Sequence, residues 1–224
     1  IGSDWKGKFD YIKDFCQVIY LDRTKGVSST KLRAEKNKVI RLGVIGTGRI
    51  ANRFIPESKY VSGVNVEGVL NIDIKLAEAF AGKHELNFFS NDYKEFLDRV
   101  DAIYVASPHL THYSYIKEAL HRSKHVLCEK PMVLSSGQAN ELYEFAELNN
   151  LVLLEAVKTA FCPGFLRLIS IAKSGLIGSI KNIDATFTKL VTGNIRELNP
   201  NEAGGSVTEL ASYPLLAIIK LLGI

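Results

Sequence analysis

Residues 39–51, VIRLGVIGTGRIA, constrain this chain more than any other stretch. A short apolar run rich in β-branched residues predicts a buried strand over 39–45. A glycine-bearing turn follows, and a helical pattern starts at once. In a strand–turn–helix each residue of the turn has a physical task. Gly46 permits the tight turn, and Gly48 lets the backbone approach a pyrophosphate. Ala51 allows close packing of helix on strand, while Thr47, Arg49 and Ile50 line the approach. The helix N-terminus offers free amides and a partial positive charge. A G-x-G-x-x-[GA] string alone is weak, but the strand before it and the helix behind it are the context a dinucleotide site requires.

The rest of the chain repeats that unit. Strands are predicted at VNVEGVL (64–70), NFFS, DAIYVAS (101–107), HVLCE (125–129) and LVLLEAV (151–157). Helices are predicted at RIANRFIPESK, IKLAEAFAGKH, DYKEFLD, THYSYIKEALHRS and SSGQANELYEFAELNN, the last opened by Ser135 or Ser136. Such alternation implies an α/β fold, a doubly wound parallel sheet with helices on both faces. After Pro163 the texture changes. GFLRLISIAKSG reads as a helix ending at Gly175, IKNIDATFTKLV (180–191) as a long strand with one wet face, and GGSVTELASYPLLAIIKLLG as one helix. This is the expected start of a second, α+β domain. The domain expectation is therefore 1–38 front piece and linker, 39–157 dinucleotide-binding domain, and 158–224 the beginning of a substrate or oligomerisation domain.

Charge separates the front from the remainder. Residues 1–41 hold 10 Lys/Arg and 5 Asp/Glu, while residues 42–224 hold 18 and 19. The front positives are interleaved with acids and show no aromatic stacking pattern, so a solvated helix and linker is expected, with no nucleic-acid partner. The most apolar stretch, YPLLAIIKLLG, is short and broken by Lys220, and no membrane span is expected. Three widely spaced cysteines argue against a disulfide framework and for a reducing cytoplasm. The chain lacks an initiating Met, so it is expected to begin inside a longer gene product.

CEKPMVL (128–134) places Lys130 at the C-terminal end of a parallel strand, on the edge where ligands bind. An ammonium there can polarise a carbonyl or assist deprotonation of an alcohol. Asn71 ends the second strand, where a ribose reader belongs. No acid stands at that position and no Arg follows for a 2′-phosphate, so the reading leans to NAD(H) over NADP(H). His109 and His112 have i, i+3 spacing without an evident third ligand, and no metal is expected. Cys128 and Cys162 read as packing thiols.

GVIGTGRIA, VASPHLTH, KHVLCEKP and GGSVTELASYPL occur in the order found in the Gfo/Idh/MocA oxidoreductases, and the resemblance covers residues 39–224. It implies a Rossmann domain followed by an α/β domain, with NAD(P) as cofactor. By position it makes Lys130 the catalytic lysine and Glu129 the contact to the nicotinamide ribose. Ser107, Pro108, His109 and His112 fall in or beside the loop lining the cofactor cleft. Tyr213 becomes the proton donor or acceptor, and Glu209 replaces the family's usual Asp. An i, i+4 pair on one helix face would aim Glu209 and Tyr213 into one cleft. EAVKTAFCPGF (155–165) departs from the family's commoner Arg-and-His version, with Ala160 and Cys162, and leaves Lys158 as a positive charge for substrate.

The front piece, FDYIKDFCQVIYLDRTKGVSSTKLR (9–33), predicts a short helix, a strand over CQVIYL, then a turn and a helix start. It resembles the C-terminal end of the glycerol-3-phosphate cytidylyltransferases. That resemblance implies CTP-phosphate contacts from Arg23, Ser28, Ser29 and Thr30, in a site lacking the H-x-G-H motif that does the chemistry. The expected function is an NAD(P)-dependent oxidoreductase acting on a polyol, a sugar, a polyol phosphate or a CDP-polyol. It would be part of a bifunctional fusion and a homo-oligomer. Alternatives are a cytidylyltransferase parent with an accessory half, or a non-catalytic NAD(P)-binding sensor.

Overall fold

The computed structural model describes residues 6–14, 16–20, 39–193 and 196–223. The chain divides into two compact units, Ile1–Val39 and Ile40–Ile224. In the first, a 3-10 turn spans Asp10–Ile12. The Tyr20 hydroxyl donates to Asp10 Oδ1 at 2.9 Å and accepts from the Phe9 amide at 3.1 Å. The strand expected over CQVIYL is not formed across residues 16–20. A strand needs a neighbour to complete its ladder, and the described residues of this unit include no other strand. Arg23, Ser28, Ser29 and Thr30 lie outside the described residues.

The second unit is built on a sheet of six parallel strands in the order β3-β2-β1-β4-β5-β6. The strands are β1 (Ile40–Ile45), β2 (Val64–Leu70), β3 (Phe88–Ser90), β4 (Ala102–Val105), β5 (His125–Cys128) and β6 (Leu153–Glu155). Helices α1 (Arg49–Ser58), α2 (Ile74–His84), α3 (Tyr93–Asp98), α4 (His109–His121) and α5 (Ser136–Leu148) connect them. This is the Rossmann, doubly wound order, with its switch point between β1 and β4. β1 is exposed at Ile40 and Arg41 and buried from Leu42 to Ile45, where both faces of the strand are covered. Leu42 and Val44 join a core with Ile55, Phe80 and Tyr104, while Ile45 joins the opposite core with Phe96, Ile103 and Leu120.

The helix starts follow from local chemistry. Asp73 caps α2 by accepting from the Lys75 and Leu76 amides, and Asp92 caps α3 by accepting from those of Lys94 and Glu95. Each such cap contributes about 1 kcal/mol. Ser135 holds the N-cap position of α5 but makes no side-chain cap bond.

Beyond β6 a 3-10 turn (Lys158–Phe161) leads into α6 (Pro163–Lys173), which ends before Gly175 at φ +81°. Two expectations are corrected here. Residues 180–191 form no strand; alternation supplies a wet face and a dry one, but a strand also needs a ladder partner, and no described strand follows Glu155. The single helix expected over GGSVTELASYPLLAIIKLLG is two, α7 (Ser206–Leu210) and α8 (Ser212–Leu222). Pro214 explains the break. It has no N–H for the Leu210 carbonyl, and its ring crowds that carbonyl.

Candidate active site

The switch point opens a cleft of about 950 Å³. β1 ends beside β4, with Ile45 opposite Val105, so the following residues of both strands emerge together. Gly46 turns away at φ +99°, and a Cβ there would lie 2.6 Å from the Ala106 carbonyl oxygen. Only glycine satisfies both conditions. At Gly48, the N-cap of α1, a Cβ would meet nothing within 4 Å. The space before the first amides of α1 is therefore open, and those amides have no intrahelical acceptor. Thr47, Arg49 and Ile50 line the same wall. Behind it, the Asn52 side-chain amide donates to the Thr47 and Gly48 carbonyls at 3.1 and 3.0 Å. Its Oδ1 accepts from Lys83 Nζ at 2.7 Å and lies 3.1 Å from His84 Nε2. The Gly46 amide is donated to the Leu70 carbonyl at 2.9 Å, so with the turn's carbonyls held toward the protein it is the amides after Gly46 that remain for a phosphate.

Asn71 lines the cleft at the end of β2. Its Nδ2 donates to Thr47 Oγ1 at 2.7 Å and its Oδ1 accepts from the Asp73 amide at 2.9 Å. Asp73, the nearest acid, is turned into the α2 N-terminus. The open turn, the free helix amides and the ribose-side amide fit a nicotinamide dinucleotide. Gly48, Arg49 and Ile50 would hold its pyrophosphate and Asn71 its adenosine ribose, while Gly46 shapes the turn, its own amide being donated to Leu70.

The opposite wall carries the ionisable groups. Glu129 follows β5, and its Oε1 accepts from the Tyr104 hydroxyl at 2.6 Å. Burial and the Glu129 charge push the Tyr104 phenol far above its usual range, so it only donates. Lys130 follows, joined to Pro131 by a cis peptide. Its Nζ donates to the Glu209 main-chain carbonyl at 2.8 Å and lies 3.4 Å from Glu209 Oε2. Glu155, whose role the sequence leaves open, accepts the Met132 amide at 2.9 Å and so braces the Lys130 turn.

Glu209 and Tyr213 both line the cleft, although they sit on α7 and α8 instead of one helix face. Tyr213 stacks on Phe187, with centroids 4.3 Å apart at 26°. Burial, then Glu129 and Glu209, raise its phenol above the ordinary value. Ser107, Pro108, His109 and Lys158 also line the cleft. Burial lowers the His109 pKa against the opposing pull of Glu209.

Of the four residues expected in or beside the loop lining the cofactor cleft, His112 is the one that does not line it, which corrects its assignment to the cofactor. It is fully buried, with Nδ1 2.9 Å from the Pro131 carbonyl and Nε2 2.9 Å from the Ser107 carbonyl. It pins the β4 loop to the β5 loop from behind the cleft. Cys128 is buried as a packing thiol, and its pKa is raised by that burial; Cys162 is exposed. Among the described residues no cluster of His, Cys, Asp and Glu could hold a metal ion.

Sequence reasoning passed over Arg196, Lys189, Glu197 and Phe187, which also line the cleft. Arg196 opens a single 3-10 turn (Arg196–Leu198), too short for any periodicity to mark a side chain as inward. Its Nη2 donates to Glu209 Oε1 at 3.0 Å.

Comparison with known proteins follows the same lines. Residues 40–156 match the GFO_IDH_MocA model, described as "Oxidoreductase family, NAD-binding Rossmann fold". The scyllo-inositol 2-dehydrogenase (NADP(+)) IolU of Bacillus subtilis is 29% identical over 197 residues, covering 83% of this chain and 59% of that protein. The dTDP-3,4-didehydro-2,6-dideoxy-alpha-D-glucose 3-reductase of Streptomyces antibioticus is 31% identical over 189 residues, covering 82% of this chain and 57% of that one. Among solved structures, KijD10, a 3-ketoreductase from Actinomadura kijaniata in complex with NADP and TDP-benzene, superposes with a TM-score of 0.73 at 30% identity. That match covers 82% of this chain and 57% of KijD10. The chain thus spans less than two thirds of the length of these relatives.

Proposed function

The chain belongs to the GFO_IDH_MocA oxidoreductases with an NAD-binding Rossmann fold, and on that premise we propose that it moves hydride between a nicotinamide dinucleotide and the carbinol or carbonyl carbon of a sugar or polyol. One observation carries the reading. Lys130, Glu209 and Tyr213 come from three separate elements and line the same cleft as the Gly46–Gly48 turn. The nicotinamide, when bound, supplies or takes up the hydride. The protein's part is to place the substrate oxygen and manage its proton. Lys130 presents an ammonium to that oxygen, which gains negative charge as a carbonyl is reduced. Tyr213, held protonated through neutral pH by burial and by Glu129 and Glu209, gives its proton to the same oxygen. Glu209 orients Lys130 from behind through two contacts. Glu129, held by Tyr104, would contact the nicotinamide ribose.

Substrate preference follows from charge. Arg49, Lys158, Lys189 and Arg196 line the cleft with Lys130, against Glu129, Glu197 and Glu209. An excess of cations suits a phosphorylated or nucleotide-linked polyol as well as the dinucleotide itself. The RTKGVSST order of residues 23–30 supports a cytidylyltransferase-like partner activity in the same protein, with a polyol phosphate or its CDP form as the shared intermediate. The Asn71 amide, with no Arg following it in the sequence, supports NAD(H) over NADP(H). Three free cysteines among the described residues support a reducing compartment, the cytoplasm. No described helix is long and apolar enough to cross a membrane. Exposed Leu215, Ile219 and Leu222 on α8 support self-association.

The test supplies NADH and NADPH in parallel with keto-polyol phosphates, their CDP adducts and neutral keto sugars, and follows the loss of reduced nicotinamide absorbance. Turnover of the phosphorylated or CDP-linked compounds supports the full reading. Turnover of neutral sugars alone leaves the oxidoreductase and removes the coupled pathway. Cofactor binding without turnover on any of them removes both.

A further inference from the structure

We propose that Arg196 is a positioning residue that divides the Glu209 carboxylate, and so keeps one N–H of Lys130 directed at the substrate. The inference rests on the reading of Lys130 and Glu209 as working parts of the site. Glu209 is mostly buried, with 13% of its side chain exposed, and two cations share it. Arg196 Nη2 takes Oε1 at 3.0 Å, while Lys130 Nζ meets Oε2 at 3.4 Å and the main-chain carbonyl at 2.8 Å. An ammonium has three donors. Two of these go to Glu209, and the third remains for the cleft.

The division depends on Arg196. His109 Nδ1 also faces Oε1, at 3.7 Å, and lies 3.4 Å from Arg196 Nη1. At 3.7 Å His109 is the more distant partner of Oε1, against 3.0 Å for Arg196, and burial lowers its pKa, so it is a weaker substitute for the guanidinium. Without the guanidinium, Oε1 loses its strong partner and the carboxylate turns both oxygens to Lys130. The third N–H is then drawn away from substrate. The loop is built to deliver Arg196 to this place. The Gly205 amide donates to the Glu197 carbonyl at 2.8 Å and the Gly204 amide to the Asn199 carbonyl at 2.9 Å, so the chain folds back from Arg196 onto the start of α7.

The experiment reads Lys130 without needing turnover. The 224-residue chain is treated with limiting acetic anhydride, and the acylation rate of Lys130 is taken by peptide mass spectrometry, with exposed lysines of the same chain as internal standards. Arg196→Met should slow Lys130 acylation about three- to tenfold, the size of a contact coupling. Arg196→Lys should restore most of the rate. Glu209→Gln should speed acylation, and Arg196→Met added to Glu209→Gln should change nothing further. An unchanged rate in Arg196→Met, or equal slowing in the Glu209→Gln background, overturns the proposal. Should Arg196→Met fail to fold by circular dichroism, the Glu209→Gln and Arg196→Lys arms decide: a Glu209→Gln rate no faster than wild type, or an Arg196→Lys rate as slow as that expected for Met, overturns it. A chain that turns over no substrate still gives these rates, so failure of the oxidoreductase reading is told apart from failure of this one.

Discussion

Tyr104, in the middle of the sheet, donates its hydroxyl hydrogen to Glu129 Oε1 across 2.6 Å. A core side chain with 2% exposure therefore holds a carboxylate that lines the cleft. The phenyl ring has its own duty, stacking on Phe54 at a centroid distance of 4.0 Å.

Those two duties separate in Tyr104→Phe. The ring and its stacking survive, while the carboxylate loses a short hydrogen bond. NAD(P)H affinity, read by fluorescence titration, should fall about three- to tenfold, as expected for a lost bond to a charged group that only partly finds water instead. The far-ultraviolet circular dichroism should not change. Unaltered affinity would mean that Glu129 needs no help from the sheet.

The two turn glycines predict opposite kinds of damage. Gly46→Ala places a Cβ 2.6 Å from a backbone oxygen at positive φ, so it should cost about 1–3 kcal/mol of stability in chemical denaturation. Gly48→Val meets open space, so its unfolding midpoint should hold while NAD(P)H binding weakens at least tenfold. If Gly48→Val binds cofactor as well as wild type, the open space does not receive a pyrophosphate.

In a chain that turns over substrate, Lys130→Ala should lower kcat by about 10² or more with cofactor affinity within twofold, since its contribution lies with the substrate oxygen. Tyr213→Phe should do the same and keep its packing against Phe187. Steady-state kinetics beside cofactor titration measures both. A residual rate near wild type in either variant removes that residue from the chemistry.

These sites differ in how far the sequence reveals them. The bounds of β2 and α2 match the expected spans VNVEGVL and IKLAEAFAGKH residue for residue, because strand and helix patterns of that kind act locally. The Gly46 turn is legible for the same reason: its conformation is demanded within four residues. Lys130 is legible as a strand-end residue. Arg196 is not, because its inward placement depends on the long-range placement of a single 3-10 turn. The same gap explains the failed strand at 180–191, where a local pattern was present and the pairing partner was not. Pro214 is the exception that local rules could have caught, since a missing N–H breaks a helix wherever it falls.

The last prediction concerns acid. His112 is completely buried, and although two carbonyls at 2.9 Å favour its protonated form, burial dominates and holds its pKa below 6.5. His109 and His84 are lowered in the same direction, both chiefly by burial. In the unfolded chain all three titrate near 6.5. Between the folded and unfolded values the unfolded chain binds more protons, so stability rises with pH through that window and falls as pH drops below about 6.5. Glu57 and Glu141, whose pKa values are lowered by their Arg53 and Lys117 partners, lose their contribution only at more acidic pH. The thermal midpoint should accordingly be flat from pH 8 to 7 and decline from pH 6.5 to 5. His112→Gln should lower the whole curve, because the pin between the Ser107 and Pro131 loops is weakened, and should also flatten the decline. A decline of equal slope in His112→Gln would assign the acid sensitivity to other groups and show that His112 is charged in the folded protein.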